Sequence, residues 1–367
     1  SGGSVNIALA PSNPNTKATY WGQNDALFTV YRFRGTDEAF FVERLNILTA
    51  STGLTNAEAV ASGTANFESV KLEYTNKSGS TLTALGALDA TNGSVSFGFV
   101  GDSRPYIPKD GSVDVKIYAN IKAKAGRTGT ALSTLGSEEN FSLDLSSGGD
   151  DEFRAVGEGS GTVITGTSTN INNVGRGNDH FVFRTYPEFV QDTLAASEPL
   201  GTKDVLKFTI KAHGAAGSKL LFDDNASASL RFEVIASGTT NSDMTARLYD
   251  LTTNEQVASQ TVSNAQGSSA NKRASVTFDS WDKNVEIDAG GQKSFRLELG
   301  FTNFVDKSDF LQLILNDGDA NVIIRYVDGA KTSEGNTVEL GGTSAPANTL
   351  GGVFRLLPMN GPIFVKQ

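Results

Sequence analysis

The sequence predicts an all-β chain of two tandem, homologous sandwich domains with Greek-key or jelly-roll-like connections, followed by a surplus terminal strand. Three observations predict it. Apolar and polar residues alternate with period two, turn-forming clusters separate the alternating runs, and the runs of one half recur in order in the other.

Alternation is clearest where Val113, Val115 and Ile117 are interleaved with Asp114 and Lys116, and where Phe295, Leu297 and Leu299 are interleaved with Arg296 and Glu298. Successive strand side chains point to opposite faces, so this period marks strands with one buried face. The clusters Thr91-Asn92-Gly93, Lys109-Asp110-Gly111, Ala289-Gly290-Gly291 and Asn316-Asp317-Gly318 supply residues that accept the positive-φ geometry of tight hairpins.

The internal matches run along most of the chain. Asp25 to Gly35 matches Asp204 to Gly214 at an offset of 179 residues, Ser94 to Phe97 matches Ser275 to Phe278 at 181, and Ile107 to Ser112 matches Ile287 to Gln292 at 180. Phe141 to Leu145 matches Leu311 to Leu315 at 170, and Phe153 to Val156 matches Ile324 to Val327 at 171. These matches pair Leu27 with Leu206 and Phe97 with Phe278. A Pro-terminated apolar strand recurs as well: Val5 to Pro11, Phe181 to Pro187 and Val353 to Pro358. Three copies for two domain bodies leave one in surplus. The expected organisation is a first sandwich over residues 1–156, a Gly/Thr/Ser/Asn-rich linker over 157–178, a second sandwich over 179–340, and a tail over 341–367 that holds the spare strand.

At 367 residues the chain exceeds the usual size of one hydrophobic core, in keeping with two domains. It contains no cysteine, which removes disulfides, thiolate nucleophiles and Cys-based metal sites. A formal net charge of -10 with no basic cluster opposes nucleic-acid binding, which draws its affinity from Lys and Arg on phosphates. No apolar run reaches the roughly 18 to 20 residues that a helical membrane span needs.

Catalytic chemistry finds little support. The only imidazoles are His180 and His213, and no G-x-S-x-G elbow occurs. Acidic loops at Asp150-Asp151-Glu152, Asp223-Asp224-Asn225 and Asn316-Asp317-Gly318-Asp319 carry hard oxygen ligands, so calcium is the one cofactor the sequence admits, with Asn316, Asp317 and Asp319 as the candidate ligands. The same residue types are what hairpin turns select, so ordinary turns compete with that reading. Tyr20, Trp21 and Trp281 are the candidates for stacking on a sugar ring, with core packing as the competing role.

The order of a Pro-terminated strand, the segment Asp204 to Ala212, the segment Ser275 to Phe278 and the long run Ile107 to Ile121 resembles tandem Ig-like domains of prokaryotic surface-layer and extracellular-fibre proteins. That resemblance implies an extracellular, non-catalytic structural subunit with no catalytic residues to carry over. The expected partner is a second copy of the chain, met head-to-tail through strand addition. Val5, Ile7 and Leu9 at one end and Val353, Phe354, Leu356, Ile363 and Phe364 at the other are the candidate interface residues. A tail that folds back on its own second domain, and a monomeric adhesin or carbohydrate-binding module, are the competing readings.

Overall fold

The alternating runs form strands, and the strand pairs whose register is defined among the described residues are antiparallel. The computed structural model describes residues 2–50, 67–123, 140–146, 149–168, 171, 174–197, 201–225, 228–237, 244–262, 272–301, 307, 309–315, 322–328, 337–341, 354 and 357–367. The chain divides into two compact units, and the boundary falls after Val182, within the strand His180–Phe183.

Unit 1 begins with β1 (Ser4–Leu9), β2 (Ala18–Tyr20), β3 (Ala26–Thr36), β4 (Phe40–Ala50), β5 (Phe67–Thr75) and β6 (Thr81–Gly86). It continues with β7 (Ser94–Gly98), β8 (Tyr106–Ile107), β9 (Ser112–Ile121), β10 (Asn140–Ser146), β11 (Phe153–Gly157), β12 (Val163–Thr165) and β13 (His180–Phe183). One sheet has the order β1-β3-β9-β5-β6, and the other has the order β12-β11-β4-β10-β13-β2 with β7 and β8 also on β4.

Unit 2 opens with β14 (Thr185–Gln191), β15 (Gly201–Gly214), β16 (Lys219–Phe222), β17 (Ser229–Ala236), β18 (Met244–Asp250), β19 (Glu255–Val262) and β20 (Lys272–Phe278). Then come β21 (Val285–Asp288), β22 (Gln292–Phe301), β23 (Phe310–Leu315), β24 (Val322–Val327), β25 (Thr337–Gly341), β26 (Met359–Asn360) and β27 (Phe364–Val365). Its five-stranded sheet β14-β15-β22-β18-β19 repeats the order of the first sheet of unit 1. Its second sheet runs β21-β16-β24-β17-β23-β26, with β20 on β17, β25 on β24 and β27 on β23.

In each unit the two sheets bury their alternating apolar faces against each other. Phe33 on β3 meets Phe153 on β11 edge-to-face at 6.2 Å, and Phe67 on β5 meets Phe141 on β10 at 5.2 Å. In unit 2, Phe208 on β15 meets Phe232 on β17 at 5.8 Å. The hairpin clusters behave as their residues predict: Asp110 and Gly290, at equivalent places before β9 and β22, have φ of 51° and 83°.

Register corrects the pairing of Leu27 with Leu206. A bulge in β3 leaves Phe28 between Leu27 and Thr29, with Thr29 opposite Ile117. A bulge in β15 leaves Val205 between Asp204 and Leu206, with Leu206 opposite Leu297. Since Ile117 and Leu297 are equivalent, Leu206 corresponds to Thr29 and Asp204 to Leu27. A slip of two residues leaves the inward face unchanged, so alternation cannot detect it. The Phe97 and Phe278 pairing agrees with the register, where they lie opposite the equivalent residues Leu45 and Leu230.

The opening strand is corrected in the same way. Val5 lies opposite Gly35, and its counterpart in unit 2 is Pro187, opposite Ala212. Phe181 instead pairs with Asn140 in the second sheet of unit 1. The linker expected over 157–178 is not a linker: Val163–Thr165 pairs with β11, Ile171 is buried, and the Gly177 N–H donates to Asp144 at 2.8 Å. Its small residues serve close packing. A Cβ on Gly177 would stand 2.5 Å from Thr29 Oγ1.

The tail also belongs to a unit. Met359 lies opposite Leu315 and Phe364 opposite Leu311, both on β23. His180 lies opposite Phe141, the residue equivalent to Leu311, so the stretch Met359 to Val365 is the counterpart of β13 and closes the second sheet of unit 2. Of the stretch read as the surplus strand, Val353 to Pro358, only Phe354, Leu357 and Pro358 are described, and none of them is in a strand. Each unit therefore has one opening and one closing strand.

Candidate assembly surfaces

Among the described residues, the groups singled out for chemistry are buried or paired within the fold. His180 is fully buried, and its Nε2–H donates to the Phe28 carbonyl at 2.8 Å. His213 Nε2 lies 2.6 Å from Glu188 Oε2, and its ring stacks on Tyr186. Trp21 and Trp281 are 1% and 4% exposed, which leaves neither ring a face for a sugar. Among the described residues no group of three His, Asp or Glu is arranged to hold a metal. Asp150 accepts from Thr165 at 2.7 Å, Asp151 pairs with Arg44 at 2.9 Å, and Glu152 accepts from the Gly149 N–H at 2.9 Å, so these neighbours face separate partners. Asn316, Asp317 and Asp319 lie outside the described residues.

The outward faces of the two five-stranded sheets carry matching ladders. In unit 1, Lys71 lies opposite Tyr118 with Nζ 4.6 Å from the ring centre, and Glu73 opposite Lys116 at 2.7 Å. At the same positions of unit 2, Arg247 lies opposite Glu298 at 3.2 Å, and Arg296 stacks on Tyr249 at 3.9 Å. Cross-strand pairs of this kind stabilise a sheet face by some tenths of a kcal/mol each, about 0.2–1. A shallow depression of about 380 Å³ lies on the face in unit 1, and its four charged residues are already paired, Arg32 with Asp114 and Lys116 with Glu73. It offers no unneutralised charge to a ligand.

The closing strands are held in two different ways. In unit 1 the segment up to β13 is latched by polar groups on β3 and β10. The Tyr31 hydroxyl donates to the Gly175 carbonyl at 3.0 Å, Asp144 accepts from the Gly177 N–H, and Arg176 reaches Ser142 at 3.0 Å and Asp144 at 3.4 Å. Burial pushes the Asp144 carboxyl up to about 6, against the pull of the Gly177 N–H, Ser142 and Arg176. Burial drives the His180 imidazole down to about 4, with the Phe28 carbonyl opposing. In unit 2 the equivalent segment is held by apolar side chains. Phe354, Met359 and Phe364 are 1%, 2% and 0% exposed, and Phe354 lies against Phe183, Tyr186 and Tyr326 at ring separations of 5.8 to 6.4 Å.

A second latch was invisible in the sequence. The Glu38 carboxylate, in the turn between β3 and β4, accepts from the Gly159 N–H at 2.7 Å, the Ser160 N–H at 2.5 Å and the Ser160 hydroxyl at 2.6 Å. The Ser160 hydroxyl and N–H draw its carboxyl down to about 2. A carboxylate depressed in the folded state adds stability above its ordinary range near 4.5 and loses it as pH falls toward 2. Glu38→Ala is expected to strip hydrogen-exchange protection from the Gly159 and Ser160 amides while leaving the β3 amides protected; unchanged protection would show that the turn holds without it.

The candidate interface residues fall into three groups. Val5 and Ile7 are buried on β1 and Leu9 is half-buried; Phe354 and Phe364 are buried in unit 2, whereas Ile363 is 52% exposed. Val353 and Leu356 lie outside the described residues. Sequence reasoning missed Glu38, Asp144, Arg176 and Tyr31, whose partners are far away along the chain. Asp144 occupies a polar position of the alternating run Asn140 to Ser146, as Ser142 and Ser146 do, so no local signal marked its burial.

No family model matches the chain, and no curated protein matches it. Among solved structures, the collagen adhesin from S. aureus aligns over 92% of this chain and 92% of its own at 10% identity and a TM-score of 0.15. The full-length RrgB pilus protein from Streptococcus pneumoniae aligns over 100% of this chain at 11% identity and a TM-score of 0.18, and the chain spans 43% of its length. A viral particle protein of IBDV gives 10% identity and a TM-score of 0.18, with 83% of this chain and 65% of that one aligned. Values this low carry no argument about role, so function is read from the chain's own residues. Among the described residues no helix is long and apolar enough to cross a membrane.

Proposed function

We propose that the chain is a structural subunit of an extracellular assembly, a fibre or surface layer, whose copies join head-to-tail by β-strand addition. The observation that carries this reading is the way unit 2 is closed. Its last segment pairs with β23 at only four positions, Leu315 with Met359, Ile314 with Asn360, Leu311 with Phe364 and Phe310 with Val365, while its large side chains plug the core. Backbone pairing and side-chain plugs are the same whether the segment comes from the same copy or a neighbour, so exchange keeps the contacts and joins the copies. A head-to-tail contact that does not close on itself gives a filament. The burial of both Trp side chains and the pairing of the charges in the depression weigh against a sugar-binding module.

Electron microscopy of the purified chain tests this directly. Ordered fibres or sheets are expected, and a chain ending at Gly352 should fail to form them. A monodisperse monomer at high concentration that binds glycans would overturn the reading in favour of an adhesin.

A further inference from the structure

The two units are alike in topology but differ at one sheet edge. In unit 2 the edge of the outer strand β19 is met by backbone at Val257 and Ala258: Trp281 forms a β-bridge with Ala258, and the Asp282 N–H donates to the Val257 carbonyl at 2.8 Å. Through the pairing of Phe97 with Phe278, the residue equivalent to Trp281 is Val100. In unit 1 the chain after β7 stays with β4, where the Phe99 N–H donates to the Glu43 carbonyl at 2.9 Å, and Val100 is left 81% exposed. Among the described residues, β6 therefore has β5 as its sole strand neighbour.

Among the described residues no strand lies along the other side of β6, which leaves it open to another strand. The Asn76 N–H donates to the Ser80 carbonyl, so hydrogen-bonded pairs alternate from there and Leu82, Ala84 and Gly86 bond to β5. The N–H and C=O groups of Thr81, Thr83 and Leu85 then point away from the sheet. β6 reads TLTALG, with no charge, no proline and no bulge. These are the devices with which proteins guard an edge, and all are missing here. Leu85 is 66% exposed on the outer face.

We propose that β6 pairs antiparallel with β6 of a second copy about a two-fold axis at Thr83, fusing the two first sheets into one ten-stranded sheet (two copies of the five-stranded sheet). The strand is self-complementary in that register: Thr83 faces Thr83, and Thr81 faces Leu85, which are favourable cross-strand pairs. Copies with a net charge of -10 repel one another, yet the charges nearest this edge are neutralised within each copy. Lys71 binds Asp25 at 2.6 Å and Glu73 binds Lys116 at 2.7 Å. In unit 2 the chain itself shows what meets such an edge, which is another stretch of backbone.

This contact is independent of the exchange of the closing segment. Sedimentation of the full chain over a range of concentrations should show a dimer or a multiple of it. Thr83→Lys sets like charges opposite each other and Thr83→Pro removes an outward N–H; each should weaken association by about tenfold or more without moving the melting temperature, because Thr83 is exposed. An equimolar mixture of Thr83→Lys and Thr83→Glu should restore pairing. A wild-type monomer at every concentration, association unchanged in both single variants, or a mixture that stays dissociated would each overturn the proposal. Loss of association in the chain ending at Gly352 but not in the Thr83 variants would sink this inference alone, and the reverse would sink the exchange alone.

Discussion

Phe364→Ala is expected to destabilise unit 2 by about 3–5 kcal/mol, the range for removing a fully buried aromatic ring from a core that cannot collapse around the gap. Phe364 is 0% exposed and lies opposite Leu311, itself 0% exposed. The chain has two tryptophans, and one lies in each unit: Trp21 in unit 1 and Trp281, stacked on Phe222 at 4.9 Å, in unit 2. In a Trp21→Phe background the fluorescence of Trp281 reports unit 2 alone. Its denaturation midpoint should fall steeply, while in the complementary Trp281→Phe background unit 1 should unfold as before. A loss under about 1 kcal/mol would mean that the segment is not part of the core.

Asp144→Asn is expected to make unit 1 acid-labile between pH 6.5 and 4. Two buried groups titrate against each other there. Asp144 is raised in the folded state, from 3.8 to about 6, so the native unit holds the extra proton across that window. Its contribution is full below 3.8 and lost as pH rises through about 6. His180 is lowered from 6.5 to about 4, so the unfolded chain holds the extra proton. Its contribution is full above 6.5 and lost as pH falls toward 4. Each shift corresponds to about 3 kcal/mol, and the two nearly cancel between pH 4 and 6. Asparagine in place of Asp144 keeps an acceptor for the Gly177 N–H and removes one titration, which leaves the acid response of His180 exposed. His180→Phe, which copies the residue found at the equivalent position of unit 2, should produce the opposite slope. Urea midpoints of the Trp21 signal against pH would show both; an Asp144→Asn profile parallel to the wild type would refute the cancellation.

The strands that could be read in the sequence are those with a dry face and a wet face, such as β9 with Val115, Ile117, Ala119 and Ile121 buried at alternate positions. The segment 157–178 misled because Gly, Thr and Ser are the residues both of flexible linkers and of backbone packed close against a sheet. Gly177 is of the second kind. The tail misled for a different reason: its likeness to an opening strand was a likeness of composition, and its place opposite β23 depends on hydrogen bonds to residues some fifty positions earlier, as between Ile314 and Asn360.

By itself, the sequence determined the all-β class, the internal duplication and the absence of cysteine chemistry, because period-two burial, hairpin residues and composition are local properties of the chain. Only the tertiary structure decided the register of the two copies, since a two-residue slip around the bulges at Phe28 and Val205 leaves every side chain on the same face. It also decided which edge is open. β6 and β19 are both outer strands, and what separates them is whether the chain after the following strand turns back along them, as it does at Trp281, or stays with β4, as it does at Phe99. That choice is made by pairing between residues distant in sequence, where no local pattern reaches.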